Sequence, residues 1–441
     1  MLTRIEIDGF KAFRQFSLDV PPFLVLIGRN AAGKSNLFDA IQFLRLIADR
    51  PLLEAAQETR GDFTELFHRH VDGTRMTRMR FAVEVLVNPT VTDAFGVTQE
   101  IEHTQLRYEV VIERRRVRRY ERPYVVLEQI ESIRKSAGAG NLLLTYMDAD
   151  APEGYLITEG VSSAFPANDV TATFLSSITG VGQHLSSYAL RQELRSWGLL
   201  QLDPVALRAP SGYADPDVLA PNGAYLANTL RRIIDETASD DRPEGVLADL
   251  VADVTAVIPE VVGIQLDEDE ARQQRQLVVI TRDEAPFPAR VASDGTLRAI
   301  ALLTALYDPQ AAGMVCFEEP ENGIYPQRLA RFVTHLRDLI GRKIEARRDD
   351  AQAPLAQLLL SSHSPTILEA LRPRDEQHGA LRDDAVFLDT WSHIEPGEPK
   401  SRVTRVRRIA ATRELPPGAP VGTVVSPAEI DEFEVIDRLD I

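Results

Sequence analysis

The sequence predicts an α/β fold whose sheet gathers its functional groups at the C-terminal ends of its strands. Three observations predict it. Residues 23–27, Phe-Leu-Val-Leu-Ile, form a continuous apolar run, the pattern of a strand buried on both faces; a glycine-bearing loop and an amphipathic helical pattern follow. Residues 313–317 and 356–360 are further apolar runs, each ending in polar residues, with a helical pattern at about 326–341 between them. Residues 78–147 are β-rich. A strand, loop and helix followed by later strands with polar ends is the plan of a sheet with its site outside the strand C-termini.

In chain order, residues 2–7 alternate with period two and read as a strand. The helical pattern from Lys34 to about Asp49 places Leu37, Ile41, Leu44 and Ile47 on one face. Four strand-sized runs follow at 81–87, 106–112, 124–130 and 142–147, and the arginine-rich stretch 114–119 falls between the second and third, near a hairpin tip. Residues 136–140, Ser-Ala-Gly-Ala-Gly, read as a turn. Residues 165–262 are mostly helical, interrupted by Pro204, Pro210, Pro216 and Pro221, with helical spacing over 222–236. Strands at about 262–266 and 276–281 precede a helix starting near Ser293, and a last strand is expected at 385–388. The expected organisation is a lobe at 1–164, a helical subdomain at 165–290, a second lobe at 291–395, and a basic segment with an acidic tail at 396–441.

Composition narrows the class. With 441 residues, 44% hydrophobic and 26% charged, the chain buries a large core, which excludes a disordered or disulfide-stapled protein. Cys316 is the only cysteine, so no intrachain disulfide and no cysteine-built zinc site is expected. The start, Met1 to Asp8, is charged and strand-like rather than a signal peptide, and no apolar run approaches the ~18 residues of a membrane span. A soluble, cytoplasmic protein with no membrane partner is expected. The net charge of −17 argues against non-specific coating of nucleic acid but leaves room for a local basic groove.

Four motifs carry chemistry. Gly28-Arg29-Asn30-Ala31-Ala32-Gly33-Lys34-Ser35 fits G-x-x-x-x-G-K-[ST], the P-loop, between a strand and a helix as that motif requires. Its glycines let backbone N–H groups curl around phosphate, the helix N-terminus adds positive potential, Lys34 reaches the β- and γ-phosphates, and the Ser35 hydroxyl is placed for Mg²⁺. Met314 to Pro320 is an apolar strand ending in Glu318 and Glu319, the Walker B pattern: Glu318 toward Mg²⁺, Glu319 as the carboxylate that activates the attacking water. Ser293-Asp294-Gly295-Thr296-Leu297-Arg298 opens an apolar helix and, viewed alone, is a capped helix start. Leu358 to Pro365 is a strand ending in hydroxyls and His363, whose imidazole either senses a γ-phosphate or is simply satisfied at a helix start.

In this order the four motifs resemble the ABC-type ATPases of the SMC/RecF class, over about residues 1–390. Residues 28–36, ending in Asn36, resemble their Walker A; Gly9-Phe10-Lys11-Ala12-Phe13 resembles their N-terminal segment; Ser293 to Arg298 resembles a variant signature motif, with Ser-Asp-Gly-Thr in place of Ser-Gly-Gly. Glu318 to Pro326 looks like the Walker B and D-loop of the predicted-ATPase branch labelled AAA_21, which includes the ATPase part of OLD-family proteins. Glu318 stands where that pattern has aspartate, and His363 matches the switch histidine. The expected fold is therefore a P-loop NTPase: an ABC-type ATPase head with a β-rich N-terminal lobe and a helical subdomain.

The resemblance implies ATP and Mg²⁺ as cofactors. Glu319, Lys34 and His363 are implied as catalytic, with Gly28, Asn30, Gly33, Lys34, Ser35 and Asn36 around the nucleotide and Ser35 with Glu318 around the metal. It implies a head-to-tail homodimer closing on two ATPs, to which Ser293, Gly295 and Asn322 contribute in trans. The helical part lacks the sustained heptads of SMC arms, and the 78 residues after His363 leave little room for the TOPRIM domain of OLD proteins, so any effector is expected on a separate chain. The reading is an ATP-hydrolysing switch in anti-phage defence or DNA repair; the alternatives are a slow-hydrolysing ATP-gated scaffold and a transporter nucleotide-binding domain. Arg114, Arg115, Arg116, Arg118 and Arg119 either contact DNA or RNA phosphates or form a solvated, charge-balanced edge. Asp383-Asp384 reads as a loop of solvated acids. The Q-loop glutamine has two candidates, Gln129 and Gln183.

Overall fold

The computed structural model describes residues 1–133, 142–147, 155–157, 163–165, 169–180, 182, 184–310, 313–350, 353, 355–364, 366–371, 381–410, 422–426, 429–430 and 432. The turn expected at 136–140, Gln183 and most of the acidic tail lie outside them.

Two large sheets organise the chain. The first has eight strands, all antiparallel, in the order Ser163–Phe165, Tyr155–Ile157, Leu142–Met147, Tyr120–Ser132, Gln105–Val117, Arg78–Leu86, Leu2–Asp8, Phe16–Asp19. Its long strands alternate cleanly: in Gln105–Val117, Leu106, Tyr108, Val110 and Ile112 are buried while the residues between them are half-exposed. That is the pattern of a sheet with one face on a core and one toward water. The longest hairpin pairs Gln105–Val117 with Tyr120–Ser132 and turns at Arg118-Arg119, as the sequence suggests.

The second sheet has seven strands in the order Gly198–Leu200, Met314–Glu318, Gln357–Ser362, Phe23–Ile27, Leu381–His393, Ser401–Ala410, Val424–Val425. The first five run parallel; Leu381–His393 and Ser401–Ala410 form an antiparallel hairpin. All five residues of Phe23–Ile27 are buried. Leu24 and Leu26 pack into one hydrophobic cluster with the helix Lys34–Ile47 and the antiparallel sheet. Phe23, Val25 and Ile27 pack into a second cluster with the helices Asp294–Tyr307 and Pro326–Asp349. A strand with apolar side chains on both faces must be covered on both, which explains its unbroken apolar run. Gln357 is fully buried; its amide exchanges hydrogen bonds with the Leu2 backbone (2.7 and 2.9 Å) and so joins the two sheets.

A small third sheet, built from Ser211–Gly212, Gln274–Thr281, Val261–Asp269 and Phe287–Pro288, sits beside the helices Leu226–Thr237 and Leu247–Val257.

The structure extends two expectations near the C-terminus and corrects a third. The strand expected at 385–388 runs over Leu381–His393. The basic segment expected from residue 396 onward contains the strand Ser401–Ala410, with Arg405 and Arg407 near Asp389 and Arg408 near Asp19. Asp383 and Asp384 lie in a strand rather than a loop, and Asp384 pairs with Arg337 at 2.9 Å. Among the described residues no helix is long and apolar enough to cross a membrane.

Candidate nucleotide-binding site

Sheet order brings three strand ends together. Phe23–Ile27 leads into the P-loop, Gln357–Ser362 leads into His363, and Met314–Glu318 ends on the two glutamates; the histidine strand lies between the other two. Pairing of Glu318 with Ser361, and of Ser362 with Ile27, levels their C-terminal ends.

The loop itself is tightly held. Gly33 has φ +101°, and a Cβ there would meet Thr404 Oγ1 at 2.1 Å; a Cβ on Gly28 would meet the Leu388 carbonyl at 2.4 Å. Both sites require glycine. Thr404 Oγ1 also donates to the Ala32 carbonyl (2.8 Å), so the hairpin Leu381–His393/Ser401–Ala410 braces the loop from one flank. Lys34 bends back and donates to the carbonyls of Gly28 (2.5 Å) and Arg29 (3.1 Å). Burial lowers its pKa, opposed by Glu321, Glu319 and Glu318. Ser35 and Asn36 occupy the first turn of the helix Lys34–Ile47, whose N-cap makes no side-chain hydrogen bond; Arg29 and Asn30 are exposed at the apex.

Opposite the loop stands a group of carboxylates. Glu318 Oε2 accepts from Gln201 Nε2 (2.9 Å), while its Oε1 is buried without a hydrogen-bond partner. Glu319 adopts φ +52°, outside the usual range for a non-glycine residue, and its Oε2 accepts from Asn322 Nδ2 (2.7 Å). Glu321 Oε1 accepts from Ser362 Oγ (2.7 Å) and the His363 backbone N–H (3.0 Å). His363 Nδ1 lies 3.2 Å from Glu321 Oε1 and 3.9 Å from Glu319 Oε1, without hydrogen-bond geometry to either. The unsatisfied Glu318 oxygen and the glycine cradle suit a divalent cation and a phosphate chain.

Ser293 caps the helix Asp294–Tyr307 by accepting from the Thr296 N–H, as local reading gives. Gly295 is buried against the D-loop: a Cβ there would meet the Gly323 carbonyl at 2.3 Å. Ser293 and Gly295 line a separate groove of about 480 Å³ with Gly323, Tyr325 and Arg328, and no P-loop residue contributes to it.

The structure brings together Gly28, Gly33, Lys34, Ser35, Glu318, Glu319, His363 and Asn322, and leaves Ser293 and Gly295 on their own surface. It also shows residues that sequence reading missed. Gln201 follows the edge strand Gly198–Leu200, which pairs with the Glu318 strand, and so reaches Glu318. Gln129 instead lies in the antiparallel sheet, bonded to Glu131. Arg60 stands 3.3 Å from Asp39 and 3.7 Å from Glu318, and Lys11 pairs with Asp39 at 2.6 Å. The short apolar run Trp197-Gly198-Leu199-Leu200, which ends at Gln201 shortly before Pro204, is the available signal.

A P-loop strand, a carboxylate strand and a histidine strand in this chain order, with the histidine strand central among the three in the sheet, against an antiparallel sheet, define an ABC-type ATPase head of the SMC/RecF-like class. The family described as "AAA domain, putative AbiEii toxin, Type IV TA system" (AAA_21) matches residues 23–136 and 228–369, more than half of the chain, and the chain belongs to it. A stretch of 75 residues is 39% identical to the chromosome partition protein Smc of Methanocaldococcus jannaschii, 15% of this chain and 6% of that protein. The fold is similar to that of a solved Smc head bound to the C-winged helix domain of ScpA, with a TM-score of 0.50, 12% identity, and coverage of 93% of this chain and 98% of that one. A Pyrococcus furiosus Smc head with extended coiled coil, bound to the C-terminal domain of ScpA, aligns over 100% and 99% at a TM-score of 0.47 and 11% identity.

Proposed function

We propose that the chain binds and hydrolyses ATP with Mg²⁺ and acts as a switch that pairs with a second copy when ATP is bound. The observation that carries this is the placement of Lys34, Glu318, Glu319 and His363 around one set of strand ends, with a buried Glu318 oxygen left unsatisfied. Lys34 leaves the Gly28 and Arg29 carbonyls for the phosphates. Ser35 and Glu318 hold Mg²⁺, which offsets phosphate charge when bound. Gln201 orients Glu318. Glu319 accepts the proton of the attacking water, and His363 contacts the γ-phosphate.

The separation of the Ser293–Gly295 groove from the P-loop supports pairing: those groups reach a nucleotide only on another copy. Asn322 occupies Glu319 within the single chain, which favours slow turnover until pairing redirects it. The ScpA-bound relatives support a separate protein partner for this chain also, and a defence or repair role rests on the family resemblance alone. Contact with nucleic acid falls to Arg116, Arg118 and Arg119, which are exposed at the hairpin tip, since Arg114 pairs with Glu121 and Arg115 with Glu113.

The test is ATP turnover by the wild type and Glu319→Gln, with and without double-stranded DNA. Loss of on the order of 100-fold in Glu319→Gln with ATP binding retained is expected. Turnover that survives this change overturns the assignment of Glu319. DNA stimulation supports the arginine contact, and indifference to DNA directs attention to a protein partner.

A further inference from the structure

At the end of the helix Lys34–Ile47 away from the P-loop lies a cavity of about 400 Å³. Its walls come from the last turn of that helix and the residues after it, from the segment after the strand Arg78–Leu86, and from the helix Leu185–Arg195. No residue of the P-loop, neither Glu318 nor Glu319, and not His363 lines it. Arg45 stands on the same helix as Lys34, roughly 16 Å farther along at 1.5 Å per residue, so the cavity is a place apart from the nucleotide's phosphates.

The lining holds three guanidiniums, Arg45, Arg50 and Arg195, and two carboxylates, Asp49 and Glu193. Both carboxylates are already engaged. Asp49 Oδ1 is shared by Arg191 (3.0 Å) and Arg195 (3.2 Å), and its Oδ2 lies 3.9 Å from Arg50. Glu193 Oε1 accepts from the Met1 amino group and from Trp197 Nε1 (3.0 Å). Arg50 also pairs with Glu58. Taking the lining with its ion-pair partners, five cations face three carboxylates, in a chain whose net charge is −17. Arg45 holds the surplus. It is exposed, its one hydrogen bond among the described residues runs from Nε to the Arg195 carbonyl (3.2 Å), and it forms no ion pair with any of them.

A helix C-terminus attracts arginines by itself, because its last carbonyls carry partial negative charge. Here those carbonyls are satisfied by other groups: Thr173 Oγ1 donates to the Ile47 carbonyl (2.5 Å) and Arg191 Nε to that of Ala48 (3.0 Å). Capping therefore does not account for Arg45. Guanidinium forks around a concavity, with two positive charges left over, match a dianionic tetrahedral group. The cavity falls within the roughly 300–1,000 Å³ of small-molecule sites, and Asn88, Gln192 and Gln310 add neutral polar groups to its wall.

We propose that this cavity is a second anion site, separate from the P-loop, in which Arg45 and Arg195 hold a phosphate group, free or esterified to a small molecule. The site does not depend on the reading of the P-loop given above.

The test is modification of the full chain by phenylglyoxal, an arginine-directed dicarbonyl, with each site quantified by peptide mass spectrometry. Arg116, Arg118 and Arg119, exposed at the hairpin tip, are the internal references. With ionic strength held constant by chloride, inorganic phosphate is expected to slow modification of Arg45 saturably and to leave the references unchanged. Half-protection is expected at about 1 mM, the affinity that two charge-assisted hydrogen bonds give. Arg195→Gln is expected to raise that concentration about tenfold, and Arg195→Lys to recover part of the loss. Lys34→Ala is expected to leave the curve where it is. Ribose 5-phosphate run beside inorganic phosphate separates the two sources, since the form that protects at the lower concentration is the one the site prefers. No protection by either, or equal protection of Arg45 and the references, overturns the site. So does a curve indifferent to Arg195→Gln, or one abolished by Lys34→Ala, which places the phosphate in the P-loop instead. Protection by an oligonucleotide but by neither phosphate assigns these arginines to nucleic acid and overturns the proposal.

Discussion

The two large sheets treat charge in opposite ways. On the open face of the antiparallel sheet, carboxylates and guanidiniums form a ladder: Glu6 accepts from Arg4, Arg80 and Arg107, Arg80 also binds Glu109, and Arg107 binds Glu84. At the C-terminal edge of the other sheet, Glu318, Glu319 and Glu321 crowd together, and the one lysine nearby donates to backbone carbonyls instead. Paired charge across strands helps fold the first sheet. Crowded, partly unsatisfied charge works against folding the second, and such a cost is retained where a ligand later satisfies it.

The sharpest way to break this contrast is Lys34→Ala. ATP affinity is expected to fall on the order of 100-fold, as removal of a charged phosphate donor predicts, with the ATP-induced rise in melting temperature abolished and unliganded stability little changed. If Lys34→Ala unfolds the chain, the lysine belongs to the scaffold and the contrast fails.

Glu6→Gln probes the ladder. Burial pushes the Glu6 carboxyl up, but hydrogen bonds from Arg107, Arg4 and Arg80 outweigh it and hold it at about 2, below its ordinary 4.5. A depressed carboxyl stabilises the fold above its unfolded value, and that contribution is lost as pH falls from about 4.5 toward about 2. Denaturant unfolding at pH 7 is expected to show a loss of about 1 kcal/mol, well under what the displacement alone implies because water screens the group. The loss should vanish toward pH 2.

Glu318→Gln is the converse substitution. Removing one crowded charge is expected to raise unliganded stability by about 0.5 kcal/mol in the same unfolding measurement while lowering Mg²⁺-dependent ATP turnover. A loss of stability instead would place Glu318 among the paired, structural charges.

The smallest effect is expected from Arg116→Ser, Arg118→Ser and Arg119→Ser combined, with stability within about 0.5 kcal/mol of wild type. Arg114→Ala, which removes bonds to Glu121 and to the Met76 and Arg75 carbonyls, should cost more. Equal costs would erase the division of the cluster into structural and free arginines. Fluorescence anisotropy with labelled duplex DNA across a salt series checks whether the triple change flattens the salt dependence.

The sequence made legible what is local. Gly28 to Ser35 is one contiguous loop and helix start, and the apolar run 23–27 announces a doubly covered strand because each residue answers to a core on its own side. What it hid is juxtaposition. Gln201 gains its place only because an edge strand over 110 residues earlier pairs with Met314–Glu318, and Arg60 only because the segment after Lys34–Ile47 returns toward Glu318. Arg405, Arg407 and Arg408 could not be paired from the sequence because their partners, Asp389, Glu429 and Asp19, come from three separate segments.

The central strand has a history during synthesis. Phe23 pairs with Leu358, so Phe23–Ile27 leaves the ribosome roughly 335 residues before the neighbour that covers it. At about 5–20 residues per second, this wholly apolar segment waits on the order of half a minute, while the antiparallel hairpins that follow it assemble among themselves. Newborn chains are then most exposed to aggregation and most in need of a chaperone during that interval, and the P-loop, made roughly 335 residues ahead of the strand beside it, is among the last segments to take shape.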